Sequence, residues 1–187
     1  AVYPLSPMQQ GMLFHSLYSP ESGMYFEQLT CTLKGQLDTA AFERALQRVV
    51  DRHPILRTSL VWKRLDKTLQ VVHAKVKVPL AKEDWRDLPE ADQLRRFEQY
   101  LAADRDKSFT LSKPPLIRFA LIRIADSTYK LVWSHHHVLL DGWSLPLVVK
   151  EVFSFYEAFS RGHELHLEVH RPYRDYISWL QEQDHAN

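Results

Sequence analysis

Two apolar segments separated by a short polar turn constrain the fold of this chain more than any other feature. Residues 116–124 are almost continuously apolar apart from two arginines, and residues 129–135 form a second, mostly apolar run. Asp126 and Ser127 lie between them and suit a tight turn. Apolar runs of this length, bounded by turn residues, indicate β-strands with a buried face. The sequence therefore predicts a central β-hairpin that holds whatever follows residue 135 at one end.

Three histidines stand at that end of the hairpin, at positions 135–137. Three apolar residues follow them, and then come Asp141, Gly142 and a predicted helix start at Ser144. Histidine takes up and releases a proton near neutral pH, so a histidine between a strand end and a helix N-terminus is well placed for acid–base chemistry. Side chains alternate between the faces of a strand, so the first and third histidines share a face if the strand continues through them.

The residues alone leave two other interpretations of this segment open. The imidazoles can be structural groups that hydrogen-bond to the backbone or to Asp141, because satisfied buried histidines are common. Two histidines and a carboxylate are also a known ligand set for non-haem iron, and histidine is a frequent zinc ligand. Spacing alone is a weak indication of a metal, and the chain has no clear partner set for one.

Four segments of the chain match the motifs of one protein family. Residues 136–142 read HHVLLDG, which resembles the HHxxxDG signature of the condensation domains of nonribosomal peptide synthetases. Residues 3–15 resemble the first motif of that family, and residues 52–60 resemble the second, with Leu60 in place of the usual Phe. Residues 173–179 match YxDYxxW, the fourth motif. The motifs occur in the family's order, so the resemblance extends over nearly the whole chain.

Helix signals accompany the predicted strands. Ser6 and Gln9 predict a capping box that opens a helix, and apolar side chains between Met8 and Leu17 recur at helical spacing, which predicts core packing. Asp38 begins a second amphipathic helix, which ends before Pro54. The family resemblance implies the fold class: α/β, a chloramphenicol-acetyltransferase-like two-layer sandwich with a mixed or antiparallel sheet and packed helices.

Composition argues against several functional classes. The chain has 24 Lys and Arg against 23 Asp and Glu, without a sustained basic stripe, which argues against nucleic-acid binding. No apolar run reaches membrane-spanning length, and the first residues do not resemble a signal peptide. The single cysteine, Cys31, excludes an internal disulfide and lies in an apolar strand, where we expect a structural thiol. These features predict a cytoplasmic protein.

The resemblance implies peptide-bond formation. In such domains, the amine of an aminoacyl thioester on a downstream carrier protein attacks the carbonyl of an acyl or peptidyl thioester on an upstream carrier protein. Both substrates arrive on phosphopantetheine arms, so the resemblance implies neither a directly bound cofactor nor a metal. It assigns the catalytic role to His137, the second histidine of the motif, as a base or as a positioning group for the amine.

The resemblance also assigns structural roles to neighbouring residues. It implies a salt bridge between Arg57 and Asp141 that fixes the histidine loop, and a buried arginine in an apolar strand does need an acid. His136 is implied to be a framework residue of the active-site motif. Gly142 is implied to let the backbone approach the substrate, where a side chain would block the channel, and its amide is implied to bind developing negative charge.

The chain resembles only the N-terminal lobe of the two-lobe domain that this family has. We expect residues 1–170 to form that lobe and residues 171–187 to begin the connection to the C-terminal lobe. We expect the isolated chain to be inactive and to expose an apolar surface that the missing lobe would cover.

Two further alternatives remain open within the resemblance. An epimerisation domain shares the HHxxxDG motif, and the isolated chain could instead be a module that only docks a carrier protein. The opening segment, residues 6–15, is more similar to condensation domains, and in particular to those that accept a D-configured donor.

Overall fold

The computed structural model describes residues 1–184, in which seven β-strands, five α-helices and two short 3₁₀-helices alternate. The strands are β1 (Val2–Pro4), β2 (Phe26–Lys34), β3 (Thr58–Val61), β4 (Leu69–Val72), β5 (Leu80–Asp84), β6 (Ile117–Ala125) and β7 (Thr128–His136). The α-helices are α1 (Pro7–Tyr18), α2 (Thr39–Arg52), α3 (Glu90–Asp106), α4 (Ser144–Ser160) and α5 (Tyr173–Asp184). The 3₁₀-helices are Pro20–Ser22 and Pro54–Arg57.

The main sheet has the strand order β2-β7-β6-β5. Strand β7 pairs antiparallel with both β2 and β6, whereas β5 joins the far edge of the sheet in parallel with β6. The predicted central hairpin is confirmed: Ala125 pairs with Thr128 at the turn, and Ile117 pairs with His135 at the other end. The histidines therefore lie at the end of the hairpin that is remote from its turn.

A second, smaller sheet has the order β1-β4-β3, and all of its pairs are antiparallel. Strand β1 brings the N-terminal residues beside β4, with Val2 opposite Val71. The side-chain amide of Gln70 on β4 donates to the carbonyl of Pro4 at 2.9 Å. This contact fixes the start of α1, which follows β1 after two residues.

The core lies between the main sheet and the pair of helices α2 and α4. Trp133 of β7 and Phe42 of α2 are 2% and 0% exposed and belong to this core. Burial of a large apolar side chain of this kind stabilises the fold by about 1.5–3 kcal/mol. The next residue of β7, Ser134, points to the opposite face of the sheet, where its hydroxyl donates to Asp104 of α3. Helices thus cover both faces of the sheet.

Helix α2 is positioned by a cap and an apolar stripe. The carboxylate of Asp38 accepts the backbone N–H groups of Ala40 and Ala41 at 3.0 and 2.9 Å. The buried side chains recur three and four residues apart, as predicted for a helix facing a core. They are Ala41, Phe42, Ala45, Leu46, Val49 and Val50.

Helix α1 also begins as predicted, with a capping box. The backbone N–H of Gln9 donates to Ser6 Oγ at 3.1 Å, and the backbone N–H of Ser6 donates to the side-chain oxygen Oε1 of Gln9 at 3.0 Å. The prediction that its apolar stripe packs in the core is wrong for Met8 and Leu17, which are 71% and 46% exposed. The prediction is confirmed for Leu13, which is 2% exposed. The inward face of α1 also buries Gln9, because that face meets polar groups of β4 and of the histidine loop.

The predicted α/β class, with a mixed sheet and packed helices, is confirmed by this arrangement. Within residues 1–184, no helix is both long enough and apolar enough to cross a lipid bilayer.

Candidate active site

The loop between β7 and α4 is anchored by its apolar residues. Val138, Leu139 and Leu140 are 5%, 6% and 4% exposed and pack into the core. The side chain of His137, just before them, is 30% exposed, and Asp141, just after them, is exposed. The apolar spacer therefore holds one imidazole and one carboxylate at the surface of the fold, on either side of a buried anchor.

The three consecutive histidines have different environments. His135 and His136 are 2% and 7% exposed, and burial lowers the pKa of each to about 4, with a further contribution from the neighbouring His137. Both are therefore neutral and weakly basic at neutral pH. The backbone amide of His137 donates to Tyr25 O at 2.8 Å, which extends the pairing of β2 and β7 by one residue. Of the three histidines, His137 has the side chain suited to meet a substrate.

The ring of His136 is held by two hydrogen bonds. Its Nδ1 accepts the backbone N–H of Val138 at 3.1 Å, so the proton of the neutral ring lies on Nε2. The Nε2 group lies 3.3 Å from the hydroxyl of Ser16 on α1, to which it can donate. These contacts join the strand end, the loop and α1. They support a framework role for His136.

Asp141 caps helix α4. Its Oδ1 accepts the backbone N–H groups of Trp143 and Ser144 at 3.1 and 2.7 Å, and its carbonyl accepts that of Leu145 at 3.0 Å. Hydrogen bonds from the Ser144 side chain and backbone lower the pKa of Asp141. A carboxylate at this position also interacts favourably with the positive end of the helix dipole. Asp141 therefore fixes the direction in which α4 leaves the histidine loop.

A cleft of 1020 Å³ lies beside the loop, between α1, α4 and α5. His137 and Asp141 line it, together with a largely apolar wall that includes Met8, Leu147 and Tyr176. A mostly apolar cleft with a few polar groups is typical of small-molecule sites. The imidazole of His137 forms no hydrogen bond with any residue in 1–184, and its nearest ionic neighbour there is Glu27, 3.6 Å from Nδ1. The ring is therefore free to interact with a ligand through Nε2.

A second polar cluster lines the same cleft around Glu151. Its carboxylate accepts from His53 Nε2 at 2.7 Å, from Arg52 Nε at 3.1 Å and from His170 Nε2 at 3.1 Å. Burial raises the pKa of Glu151, but the His53 hydrogen bond and the charges of His53 and Arg52 outweigh it and lower the pKa overall. Arg52 also binds the carbonyl of Leu167 at 3.2 Å. The cluster fastens the connector between α4 and α5 to the end of α2.

Comparison with known protein families assigns the chain to a family. The family model described as Condensation domain matches residues 1–187. The chain belongs to the condensation-domain family. The predicted motif residues thus lie in the N-terminal part of a condensation domain, with the HHxxxDG segment at the cleft.

Curated relatives of this condensation-domain chain are peptide synthases. One of the linear gramicidin synthase proteins of Brevibacillus parabrevis is 50% identical over 183 residues, which are 98% of this chain and 2% of that protein. Bacitracin synthase 3 of Bacillus licheniformis is 46% identical over 184 residues, which are 98% of this chain and 3% of that protein. The chain therefore spans a small fraction of the length of these relatives.

Solved structures share the fold. The starter condensation domain of the rhizomide synthetase RzmA matches with a TM-score of 0.84 at 23% identity, over 100% of this chain and 45% of that chain. The EpoB cyclization-docking bidomain from Sorangium cellulosum matches with a TM-score of 0.79 at 26% identity, over 97% of this chain and 35% of that chain. The present chain thus corresponds to less than half of either solved chain.

The salt bridge predicted between Arg57 and Asp141 is not formed in this condensation domain. Within residues 1–184, no Arg57 nitrogen lies within 4.0 Å of an Asp141 oxygen: Arg57 Nε donates to Val50 O at 3.1 Å, and its Nη1 donates to the carbonyls of His73 and Ala74. The sequence pattern predicts a strand over residues 56–62 that includes Arg57, but β3 begins only at Thr58. A 3₁₀-turn, Pro54–Arg57, precedes β3 and directs the guanidinium toward α2 and β4. The carboxylate of Asp141 caps α4 instead.

Gly142 lies in the turn before α4. A Cβ atom built on it meets no heavy atom of residues 1–184 within 4 Å, and its φ is outside the left-handed region. Neither crowding nor backbone strain within the described chain therefore requires glycine here.

Two residues outside the predicted site contact the histidine loop. The side-chain amide of Gln9, which is 4% exposed, donates to Val138 O at 3.3 Å and so connects α1 to the loop. Glu27 approaches His137 from β2. The sequence around Gln9 predicted only its role in helix capping, and the sequence around Glu27 predicted no contact. Both contacts with the histidine loop depend on how distant strands and helices are placed in the fold.

No cluster of three or more His, Cys, Asp and Glu side chains in residues 1–184 has the geometry of a metal site. Cys31 is free and half-buried in β2, and burial raises the pKa of its thiol. A protonated thiol is a weak nucleophile, so Cys31 is not suited to covalent catalysis.

Proposed function

We propose that this chain is the N-terminal lobe of a domain that joins two carrier-bound substrates through a new amide bond. The donor is an acyl or peptidyl thioester, and the acceptor is the amine of an aminoacyl thioester. One observation carries the proposal: of the three histidines, His137 alone has an imidazole that lines the apolar cleft with no hydrogen bond within residues 1–184. A neutral imidazole in that position can accept a proton from the attacking amine or orient it.

The chemistry does not require a side-chain nucleophile. A thioester is already activated toward an amine, and a proton has to leave the nitrogen as the amide bond forms and the thiolate departs. His137 would take that proton or hold the amine for attack. The neighbouring His136 is a framework residue in this proposal, because its ring nitrogens are engaged by Val138 and Ser16.

The backbone N–H of Gly142 is a second group that could assist the reaction beside His137. It makes no hydrogen bond with residues 1–184 and lies at the start of α4, where the helix dipole favours negative charge. We infer that this amide stabilises the negative charge that develops on the carbonyl oxygen. Open space at Gly142 leaves room for the substrate and for the second lobe.

The second lobe and the carrier proteins complete the proposed site. We place the N-terminal lobe in residues 1–170 and the start of the connection in residues 171–187, of which 185–187 lie outside the described residues. Exposed apolar side chains that line the cleft support a covering partner: Met8, Leu147 and Val169 are 71%, 68% and 91% exposed. In this proposal phosphopantetheine arms deliver both substrates, and the chain by itself is inactive.

A single-turnover assay tests the proposal. The full two-lobe domain is mixed with a loaded donor carrier protein and a loaded acceptor carrier protein, and the amide product is quantified. His137→Ala should lower the rate by at least about a hundredfold, the lower range for a positioned acid–base group. Its melting temperature should change little because the ring is not part of the core.

His163→Ala is the matched control, because His163 is an exposed histidine that does not line the cleft. It should react like the unchanged domain. Full turnover in His137→Ala would contradict the assignment and leave epimerisation or carrier docking as better interpretations.

A further inference from the structure

Within residues 1–184, Glu27 has the one carboxylate that lies within 4.0 Å of a His137 ring nitrogen. Its Oε1 lies 3.6 Å from Nδ1, slightly farther than a direct hydrogen bond. The Glu27 side chain is 52% exposed and the His137 side chain is 30% exposed, so the contact lies at the rim of the cleft. Glu27 belongs to none of the family motifs that the sequence displays, and the proposed chemistry assigns it no role.

Sheet register, rather than chance proximity, brings the two side chains together. Glu27 is directly opposite His135 in the antiparallel pair of β2 and β7. The backbone amide of His137 continues this pairing by donating to Tyr25 O at 2.8 Å. Glu27 is therefore the diagonal cross-strand neighbour of His137, and long side chains reach each other at that separation. Glu27 of β2 thus lies beside the imidazole of His137, and Tyr25, the residue before β2, binds its backbone.

The contact involves Nδ1, the ring nitrogen that lies 3.6 Å from Glu27 of β2. A carboxylate near Nδ1 favours the tautomer with the proton on that nitrogen, which leaves the lone pair on Nε2. Within residues 1–184 no group hydrogen-bonds the ring, and the carboxylate of Asp141, whose charge also interacts with His137, lies beyond 4.0 Å of its nitrogens. One edge of the ring therefore faces the Glu27 carboxylate, and Nε2 is left without a hydrogen bond, as a proton acceptor requires.

We propose that Glu27 is a positioning residue that holds the His137 imidazole by Nδ1 and keeps Nε2 available to the acceptor amine. The inference rests on the proposed function, because it assumes that His137 meets the amine. Glu27 itself does not contact the reacting atoms. A half-exposed contact between a carboxylate and an imidazole contributes little to folding stability, so its effect is expected in the rate rather than in the melting temperature.

Isosteric variants of Glu27 in the full two-lobe domain test this inference. Glu27→Gln should lower kcat by about tenfold, a fraction of what a positioned acid–base group contributes, with an unchanged KM for the acceptor carrier. Glu27→Asp keeps the charge but retracts it, so it should give an intermediate kcat. Glu43→Gln is the matched control: Glu43 is a similarly exposed carboxylate, paired with Lys82 away from the cleft, and its variant should react normally.

A second measurement reports the ring directly and does not depend on turnover. Nitrogen NMR of histidine-labelled domain distinguishes the two neutral tautomers, and the His137 signals are assigned by their loss in His137→Ala. The unchanged domain should show mainly the Nδ1–H tautomer, and Glu27→Gln should shift the population toward Nε2–H. A normal kcat in Glu27→Gln, or a lowered kcat with an unchanged tautomer population, would overturn the inference. Full activity in His137→Ala would instead overturn the proposed function, whatever the tautomer.

Discussion

Helices α1 and α2 carry apolar residues at the same helical spacing and use them in opposite ways. In α2 the stripe faces the sheet and α4, and Phe42 is fully buried. In α1 the buried face includes Gln9, while Met8 is 71% exposed beside the cleft. Helix α2 is therefore held mainly by the hydrophobic effect, whereas α1 combines the buried Leu13 with hydrogen bonds from Gln9 and leaves Met8 exposed.

The largest effect that would test this comparison is a truncation of the α2 stripe. Phe42→Ala should lower the free energy of unfolding by about 3–5 kcal/mol, because removal of the ring leaves a cavity between two helices and the sheet. Met8→Ala, the corresponding change in α1, should alter it by less than about 0.5 kcal/mol. Urea unfolding of the full domain measures both. Equal losses from the two variants would show that α1 is held by apolar packing after all.

An intermediate effect is expected from the polar face of α1. Gln9→Ala removes the partner of Val138 O, of Gln70 and of the Ser6 amide, and should cost about 1–3 kcal/mol. It should also lower the condensation rate, since the loop that carries His137 loses one anchor. The control is Gln10→Ala, an exposed neighbour whose amide binds Leu5 O. If the two variants behave alike in urea unfolding and in turnover, Gln9 is not an anchor of the loop.

The smallest expected effect on stability comes from removing the side-chain cap of α2 or of α4. Asp38→Ala and Asp141→Ala should each cost about 1 kcal/mol, and Asp141→Asn should retain most of the stability, because asparagine also caps helices. Only the Asp141 variant should slow condensation, since it alone borders the cleft. If Asp141→Ala leaves the condensation rate unchanged, Asp141 serves only as a helix cap.

The Asp141 cap also has a defined pH dependence. Hydrogen bonds lower the pKa of Asp141 in the folded chain, so its stabilisation is fully present above the unfolded pKa of about 4. That stabilisation is lost as the pH falls through the lower folded pKa. The stability difference between the unchanged domain and Asp141→Ala should therefore narrow below pH 4, which urea unfolding at a series of pH values measures.

Local signals in the sequence predicted much of this molecule. The β6–β7 hairpin, the Asp38-capped stripe of α2 and the Ser6–Gln9 capping box each depend on residues that are close in the chain, and each is confirmed. The motif order predicted the family and so the fold. The Arg57–Asp141 salt bridge, which the resemblance implied, is not formed, because Arg57 lies in a 3₁₀-turn before β3 and its guanidinium binds backbone carbonyls instead.

The chemical types at positions 135–141 were determined by the sequence alone: three identical imidazoles, an apolar spacer and a helix-capping acid. Tertiary structure decided which imidazole reaches the cleft. His135 and His136 are buried at the end of β7, whereas His137, beside the buried spacer, lines the cleft. The physical reason is that burial and neighbouring charge, which set the proton affinity and access of an imidazole, come from elements far away in the chain.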